Sequence, residues 1–290
     1  MKIKSTPVKL RAMAVLVFLA LTGAAHAQTG KFIRFTSAHS MFPDTLRKDG
    51  YTYNGKFFDA ATHYSDSSVL IYVPSYFSPK EKTNLVFWFH GWGNNIDTAC
   101  RQFQLTEQFE ASGRNAVFVF PEGPKNASDS YGGKLEQSQV FQALVKDVGE
   151  KLQEHGILPK KKFLLDQFDI SLAGHSGAYR VISRIINKTP VREVILFDAL
   201  YGGNDAFLAW LSDADHRFIN IYTKDGGTYD NSLLVAKTIT EANIPLLLVK
   251  EEEVDDNLLR NKKVVMFSSK GHNEVITHNR NWERFLRTGN

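Results

Sequence analysis

The chain alternates between short apolar runs and longer amphipathic segments, and this alternation restricts its fold more than any other feature. Between the runs, apolar residues recur at helical spacing, as in 141–152 and 181–186. The runs themselves are apolar or β-branched almost throughout, as strands covered on both faces are. The pattern predicts an α/β fold with helices on both faces of a mostly parallel, eight-stranded sheet. The eight predicted strands are 69–73, 85–90, 116–120, 168–173, 193–197, 218–222, 246–249 and 264–268.

The first 27 residues are typical of a secretory signal peptide. Four basic residues precede an apolar stretch over 12–21, and small residues then lead to Ala27. The apolar stretch is shorter than the roughly 20 residues that a membrane helix needs, and no later run approaches that length. We expect cleavage after Ala27 and export to the periplasm or the medium, without a membrane span.

Charge and cysteine content exclude several classes of partner and of architecture. The formal net charge is +4, but four of the 35 basic residues and no acidic ones lie before residue 28, so the remaining chain carries 31 of each sign. This balance gives no reason to expect a nucleic acid or an anionic membrane as partner. Cys100 is the single cysteine, so an internal disulfide is impossible and stability must come from the core.

The pentapeptide Gly174-His175-Ser176-Gly177-Ala178 follows the predicted strand 168–173 and precedes a predicted helix. A serine raised on a sharp strand-to-helix turn is how one enzyme class presents its nucleophile. Gly174 and Ala178, two residues before and two residues after Ser176, are both small, which lets the strand and helix backbones approach closely. Ala178 stands where the usual pattern has glycine, a departure of one methyl group. Ser176 is the candidate nucleophile.

A glycine-rich loop follows the strand 85–90 and reads His90-Gly91-Trp92-Gly93. Such a loop at a strand tip can turn its backbone N–H groups inward, where they stabilise the negative oxygen that develops when a carbonyl is attacked. The N–H groups of Trp92 and Gly177 are the predicted oxyanion hole.

A serine nucleophile needs a base, most often histidine, and a carboxylate that orients the base. His272 follows the last predicted strand and precedes a closing helix, which makes it the candidate base. Two aspartates compete for the third position. Asp198 ends an apolar strand, where an acid has no evident structural role. Asp225 is followed by glycine, and an Asp-Gly pair is also common in turns without any catalytic role. Asp198 is favoured, and both stay open.

Together these motifs resemble the α/β-hydrolase superfamily over residues 69–290. Residues 72–75 and 120–124 are similar to secreted esterases of the polyhydroxyalkanoate-depolymerase and feruloyl-esterase kind. The resemblance implies a serine esterase that forms an acyl-enzyme on Ser176, with His272 as base and a carboxylate after a late strand. It also implies a small or polymeric ester as substrate. The same residues would serve an amidase, a peptidase or an acyltransferase, and a non-catalytic envelope-binding protein is the third alternative.

The domain organisation that we expect is simple. Residues 28–68 form an N-terminal extension packed on a catalytic domain over 69–290. Only about twenty residues, 199–217, separate two of the predicted strands, so a large cap domain is not expected. The sequence contains no nucleotide-binding glycine motif and no histidine pair with metal-ligand spacing, so we expect neither a cofactor nor a metal.

Overall fold

A computed structural model describes residues 30–260 and 262–289. The expected signal peptide and its cleavage point after Ala27 lie outside the described residues. The strands are β1 (Lys31–Thr36), β2 (Tyr51–Tyr53), β3 (Lys56–Phe58), β4 (Ser68–Val73), β5 (Thr83–Phe89), β6 (Val117–Pro121), β7 (Phe168–His175), β8 (Val191–Phe197), β9 (Arg217–Thr223), β10 (Leu247–Lys250) and β11 (Lys263–Ser268). The α-helices are α1 (Ala60–His63), α2 (Ile96–Phe103), α3 (Leu105–Ala111), α4 (Ser138–Glu154), α5 (Tyr179–Ile185), α6 (Asn204–Leu211), α7 (Tyr229–Glu241) and α8 (Asn281–Arg287).

Nine strands form the main sheet, in the order β1-β4-β6-β5-β7-β8-β9-β11-β10. The pairs β1/β4 and β4/β6 are antiparallel, and the other pairs are parallel. The eight predicted strands correspond to β4–β11, so the expectation of an eight-stranded sheet was wrong by one strand. The additional strand is β1, which lies at an edge and buries only Ile33. An edge strand with one buried side chain has no continuous apolar run for a sequence pattern to reveal.

Helices cover both faces of the sheet and enclose two apolar layers. Strand β5 shows the division, because Phe87 belongs to one layer and its neighbour Trp88 to the other. The first layer lies under α4, α5, α6 and α7, and the second under α2, α3 and α8. The ring centroids of Trp88 and Trp282 lie 4.9 Å apart and fix α8 against the sheet. This arrangement of helices is the predicted one.

The N-terminal extension is part of the main fold. Strand β1 extends the sheet beyond β4, and β2 and β3 form a separate hairpin. Tyr53 of the hairpin packs edge-on against Trp92, with ring centroids 4.8 Å apart. Arg47 pairs with Asp129 at 2.7 Å in a largely buried contact. The extension therefore reaches the edge of the sheet where the glycine-rich loop lies.

The C-terminal ends of the parallel strands meet at one edge of the sheet, which is where ligands collect in folds of this type. His90 follows β5, Ser176 follows β7 and Asp198 follows β8. The segment between β8 and β9 contains a single α-helix, α6, and no inserted domain. The candidate residues are thus brought to a common, uncapped edge.

Candidate active site

Ser176 lies on a sharp turn directly after β7. Its φ of +56° is in the left-handed region, which non-glycine residues rarely adopt and which is common at functional turns. A Cβ at Gly174 would lie 2.5 Å from the Cβ of Ala178, so alanine at 178 requires glycine at 174. A Cβ at Gly91 would lie 2.5 Å from the Cβ of Ser176. Glycine at 91 therefore lets the loop after β5 pass directly beside the Ser176 side chain.

His272 and Asp198 are in direct contact, with Nδ1 of the imidazole 2.6 Å from Oδ2 of the carboxylate. The Asp198 side chain is fully buried, whereas that of His272 is 32% exposed. Asp198 also accepts hydrogen bonds from the N–H of Thr223 at 3.0 Å and from the hydroxyls of Thr223 and Thr228.

These contacts decide the charge of Asp198. Burial alone would raise its pKa, but the hydrogen bonds from His272, Thr228 and Thr223 outweigh burial and lower the pKa below its ordinary value. The carboxylate is therefore ionised at neutral pH. An ionised carboxylate on Nδ1 holds the imidazole with Nε2 free to take up a proton.

Asp225 does not reach this pair. Its side chain is exposed on the loop after β9, and no hydrogen bond joins it to His272 among residues 30–260 and 262–289. The adjacent Gly226 has a clear structural role, because a Cβ there would lie 1.8 Å from Oδ2 of Asp198. The Asp-Gly turn thus passes over the Asp198 carboxylate and shields it from water.

The loop after β5 is held in place by a buried histidine. Nδ1 of His90 donates to the carbonyl of Gly91 at 2.7 Å, and its Nε2 lies 3.1 Å from both the buried Glu122 carboxylate and the N–H of Gly123. Within the part of the chain that the structure describes, no acceptor takes the backbone N–H of Trp92 or of Gly177. The oxyanion hole that the sequence indicates for these two N–H groups stays a prediction.

A small cavity of about 170 Å³ opens above Ser176. Burial raises the pKa of the Tyr201 hydroxyl to about 12, the charge of Asp198 adds to this effect and the Ser176 side chain opposes it. Tyr201 therefore stays protonated at neutral pH, and its hydroxyl donates to the carbonyl of Gly226. No hydrogen bond joins the Ser176 hydroxyl to His272 within the described residues. The cavity is lined by Trp92, Ser130, Ser176, Gly177, Tyr179 and Tyr201.

Sequence analysis missed Tyr179 and Tyr201. Each stands three residues after a candidate site residue, Tyr179 after Ser176 and Tyr201 after Asp198. Both positions follow a strand tip, and the two rings lie 5.9 Å apart. A search for aromatic residues shortly after each strand tip would have found them.

The molecule also has two larger clefts, and one of them adjoins the small cavity. One of about 740 Å³ shares Tyr179 with it. Another of about 830 Å³ lies beside the Asp-Gly turn and is lined by Asp225, Gly227 and Tyr229, among others. A molecule that places one end above Ser176 can therefore extend past Tyr179 into the cleft of about 740 Å³.

Solved structures of esterases share this fold over most of the chain. A ferulic acid esterase aligns with a TM-score of 0.54 at 8% identity, covering 90% of this chain and 99% of its own. A feruloyl esterase module from Clostridium thermocellum, complexed with sinapinate, aligns with a TM-score of 0.52 at 10% identity, covering 90% and 88%. A fluorophosphonate-binding serine hydrolase of Staphylococcus aureus aligns with a TM-score of 0.50 at 12% identity, covering 90% and 100%.

This chain has the α/β-hydrolase fold. The resemblance predicted from the serine turn, the glycine-rich loop and the late histidine is confirmed at the level of the fold. No protein-family model matches the chain, and no curated protein sequence matches it.

Three further observations concern metal-binding groups, membrane-spanning helices and the single cysteine. Among residues 30–260 and 262–289, no group of three or more His, Cys, Asp or Glu side chains is placed to hold a metal ion. No helix in the same ranges has the length and apolarity needed to cross a bilayer. Burial raises the pKa of Cys100 to about 12, with nearby Asp97 adding to the effect, so its thiol stays protonated.

Proposed function

We propose that this protein is an exported serine hydrolase that cleaves carboxylic esters. The observation that carries the proposal is the 2.6 Å contact between His272 and the buried, ionised Asp198 at the strand edge where Ser176 stands on a strained turn. Export rests on the leader that ends at Ala27. The esterase structures with the same fold support the choice of ester bonds.

The reaction begins when Oγ of Ser176 attacks the ester carbonyl while Nε2 of His272 takes its proton. The carbonyl oxygen becomes negative and accepts hydrogen bonds from the N–H groups of Trp92 and Gly177. Asp198 stabilises the imidazolium. The hydrogen bond from the Ser176 hydroxyl to the His272 imidazole forms when substrate fills the site, since catalytic hydrogen bonds often tighten only in the enzyme–substrate complex.

Collapse of this intermediate breaks the ester bond. The alcohol leaves with the proton of His272, and the acyl group remains on Ser176. A water molecule then gives a proton to His272 and attacks the acyl group. Oγ leaves, regains a proton from His272 and releases the carboxylic acid, so that the site returns to its starting state.

The cavities indicate which part of a substrate lies where. Ligand sites for whole small molecules usually measure roughly 300–1,000 Å³. The cavity of about 170 Å³ above Ser176 is smaller than this range, so it suits a short or flat acyl group against Tyr179 and Tyr201. The wider cleft that shares Tyr179 with it suits an extended alcohol portion, as in a polymeric ester.

Labelling by a fluorophosphonate probe tests the proposal. The probe reacts with activated serines, so the native protein should be labelled and Ser176→Ala should not. Ser212→Ala is the matched control, because Ser212 is exposed and its hydroxyl donates to the nearby carbonyl of Ala209. It should label as the native protein does.

An unlabelled native protein would refute the serine-hydrolase proposal and favour a non-catalytic role. A paired set of p-nitrophenyl esters and p-nitroanilides then compares ester with amide cleavage. We expect kcat/KM to be at least about 100-fold higher for the esters, and a preference for anilides would indicate an amidase or peptidase.

A further inference from the structure

The histidine before the nucleophile has a place in the site that the proposed reaction does not use. His175 is the last residue of β7, and its side chain is almost completely buried. Its ring packs against the ring of His272, with centroids 4.4 Å apart and an interplanar angle of 37°. Phe103 closes the other side, edge-on at 5.4 Å. His175 is therefore enclosed between the base and the core.

His175 also bonds to the backbone of the base. Its Nε2 lies 3.0 Å from the carbonyl oxygen of His272. A carbonyl can only accept, so Nε2 of His175 carries the proton and donates it. Burial and, to a smaller extent, the neighbouring His272 lower the pKa of His175 to about 3. The ring thus stays neutral and adds no positive charge beside His272 when that imidazole takes up a proton.

The loop that carries His272 has few other attachments near that residue. The N–H of Gly271 donates to the Glu274 carboxylate at 3.0 Å, the Gly271 carbonyl accepts from the N–H groups of Glu274 at 2.9 Å and Val275 at 3.3 Å, and the Glu274 carbonyl accepts from the N–H of Thr277 at 3.0 Å. These hydrogen bonds all stay within residues 271–277. Gly271, Asn273 and Glu274 are all exposed. The His272 backbone is therefore tied to the nucleophile strand through His175.

We propose that His175 is a positioning residue that fixes the distance between the base and the nucleophile. This inference rests on the proposed function. Ser176 follows His175 directly in the chain, so the hydrogen bond to the His272 carbonyl links the two reacting side chains through one residue. The side chain of Asp198 orients the imidazole ring, and His175 sets where the backbone beneath that ring lies.

Three variants separate this role from simple packing. His175→Phe keeps an aromatic ring and removes the donor, whereas His175→Gln places an N–H donor at a similar reach. His216→Phe is the matched control: Nδ1 of His216 lies 2.7 Å from the Trp210 carbonyl and its ring stacks on Trp210 at 4.3 Å, in a part of the chain outside the site.

The readouts are kcat and KM for p-nitrophenyl acetate and the low-field proton NMR signal of the proton between His272 and Asp198. We expect His175→Phe to lower kcat about 100-fold with KM within about twofold, since a displacement near 1 Å costs about that factor. The low-field signal should broaden or vanish. His175→Gln should have a kcat at least about tenfold higher than that of His175→Phe and should show the low-field signal again. His216→Phe should match the native protein in kcat and in this signal.

Native kcat and an unchanged signal in His175→Phe would overturn the inference, and so would a His175→Gln variant no better than His175→Phe. Should His175→Phe fail to fold, His175→Met fills the volume without a donor and replaces it. The NMR comparison needs no turnover. A native protein that resists fluorophosphonate would therefore refute the proposed function, while the signals of the variants would still decide the role of His175.

Discussion

At the scale of single residues, the environment of Asp198 separates it from its competitor. Asp198→Asn should lower kcat by up to about 10⁴, because an amide favours the wrong imidazole tautomer and cannot stabilise the imidazolium. Asp225→Asn should stay within about twofold of native, since Asp225 is exposed and does not contact His272. Both are measured with p-nitrophenyl acetate. Equal, small losses in the two variants would mean that neither aspartate is the acid.

The sequence could nominate both aspartates but could not rank them decisively. Each follows a strand, and the strand tips share one edge of the sheet. What distinguishes them is a set of contacts between distant parts of the chain: Thr223 and Thr228, which bond to Asp198, lie 25 and 30 residues away from it. The approach of the Asp-Gly turn to Asp198 likewise exists only in three dimensions.

Tyr179 should restrict the length of the acyl group. Replacing it by alanine opens the small cavity toward the cleft of about 740 Å³ that shares this residue. We expect Tyr179→Ala to raise the ratio of kcat/KM for p-nitrophenyl octanoate over p-nitrophenyl acetate by about tenfold. Tyr229→Ala, an exposed tyrosine in the other cleft, is the control and should leave the ratio unchanged. An unaltered ratio in Tyr179→Ala would place the acyl group elsewhere.

At the scale of elements, the strands with apolar runs could be predicted, including β10 at one edge of the sheet, whereas β1 at the other edge could not. Strands β5 to β9 and β11 are covered on both faces, so their sequences are apolar almost throughout. Strand β1 pairs along its whole length with β4 but exposes Lys31, Phe32 and Arg34, so backbone pairing and the one buried side chain of Ile33 hold most of it. Backbone hydrogen bonds leave no signature in side-chain pattern.

A buried carboxylate, that of Glu251, bonds to both ends of the loop that carries His272. Glu251, directly after β10, accepts hydrogen bonds from Ser268 at the end of β11 and from Asn281 at the start of α8, the latter at 2.6 Å. Glu251→Gln should lower the free energy of unfolding by about 2 kcal/mol, since hydrogen bonds to buried charged groups contribute about 1.5–3 kcal/mol each. Urea unfolding measures the loss.

The neighbouring Glu252 provides the control for that experiment. It is exposed and accepts one hydrogen bond from Ser269 at 2.9 Å. Glu252→Gln should have the same urea midpoint of unfolding as the native protein, because exposed charge contacts contribute little to stability. Equal stability of the two variants would show that Glu251 does not fasten the ends of this loop.

At the scale of the whole molecule, an ion cluster at the opposite edge of the sheet governs acid stability. Glu193 in β8 is buried and pairs with Arg114 at 2.6 Å and with Arg217. Burial alone would raise the pKa of Glu193, but the two arginines lower it below its ordinary value of 4.5. A folded-state pKa below the unfolded value stabilises the fold above about pH 4.5, and this contribution is lost as the pH falls through the folded-state pKa.

We therefore expect the free energy of unfolding to decrease as the pH falls below about 4.5. Glu193→Gln should cost about 3–5 kcal/mol at pH 7, because it leaves buried arginine charge uncompensated, and should flatten the acid dependence. Glu241→Gln, in an exposed pair with Lys237 at 3.8 Å, is the control and should keep the native dependence. Urea unfolding at pH 7 and pH 3 distinguishes the outcomes, and a Glu193→Gln curve equal to native at both values would contradict this account.

The hairpin of β2 and β3 contributes no reacting group, yet Tyr53 packs against Trp92 at the rim of the cavity above Ser176. Under the proposed function, part of the entrance is therefore supported by a stretch of polypeptide that supplies no reacting group. Mutations in the hairpin can alter which esters are admitted while the groups that break the bond keep their geometry. A library confined to residues 51–58 that keeps Tyr53 is thus a route to new substrate preferences.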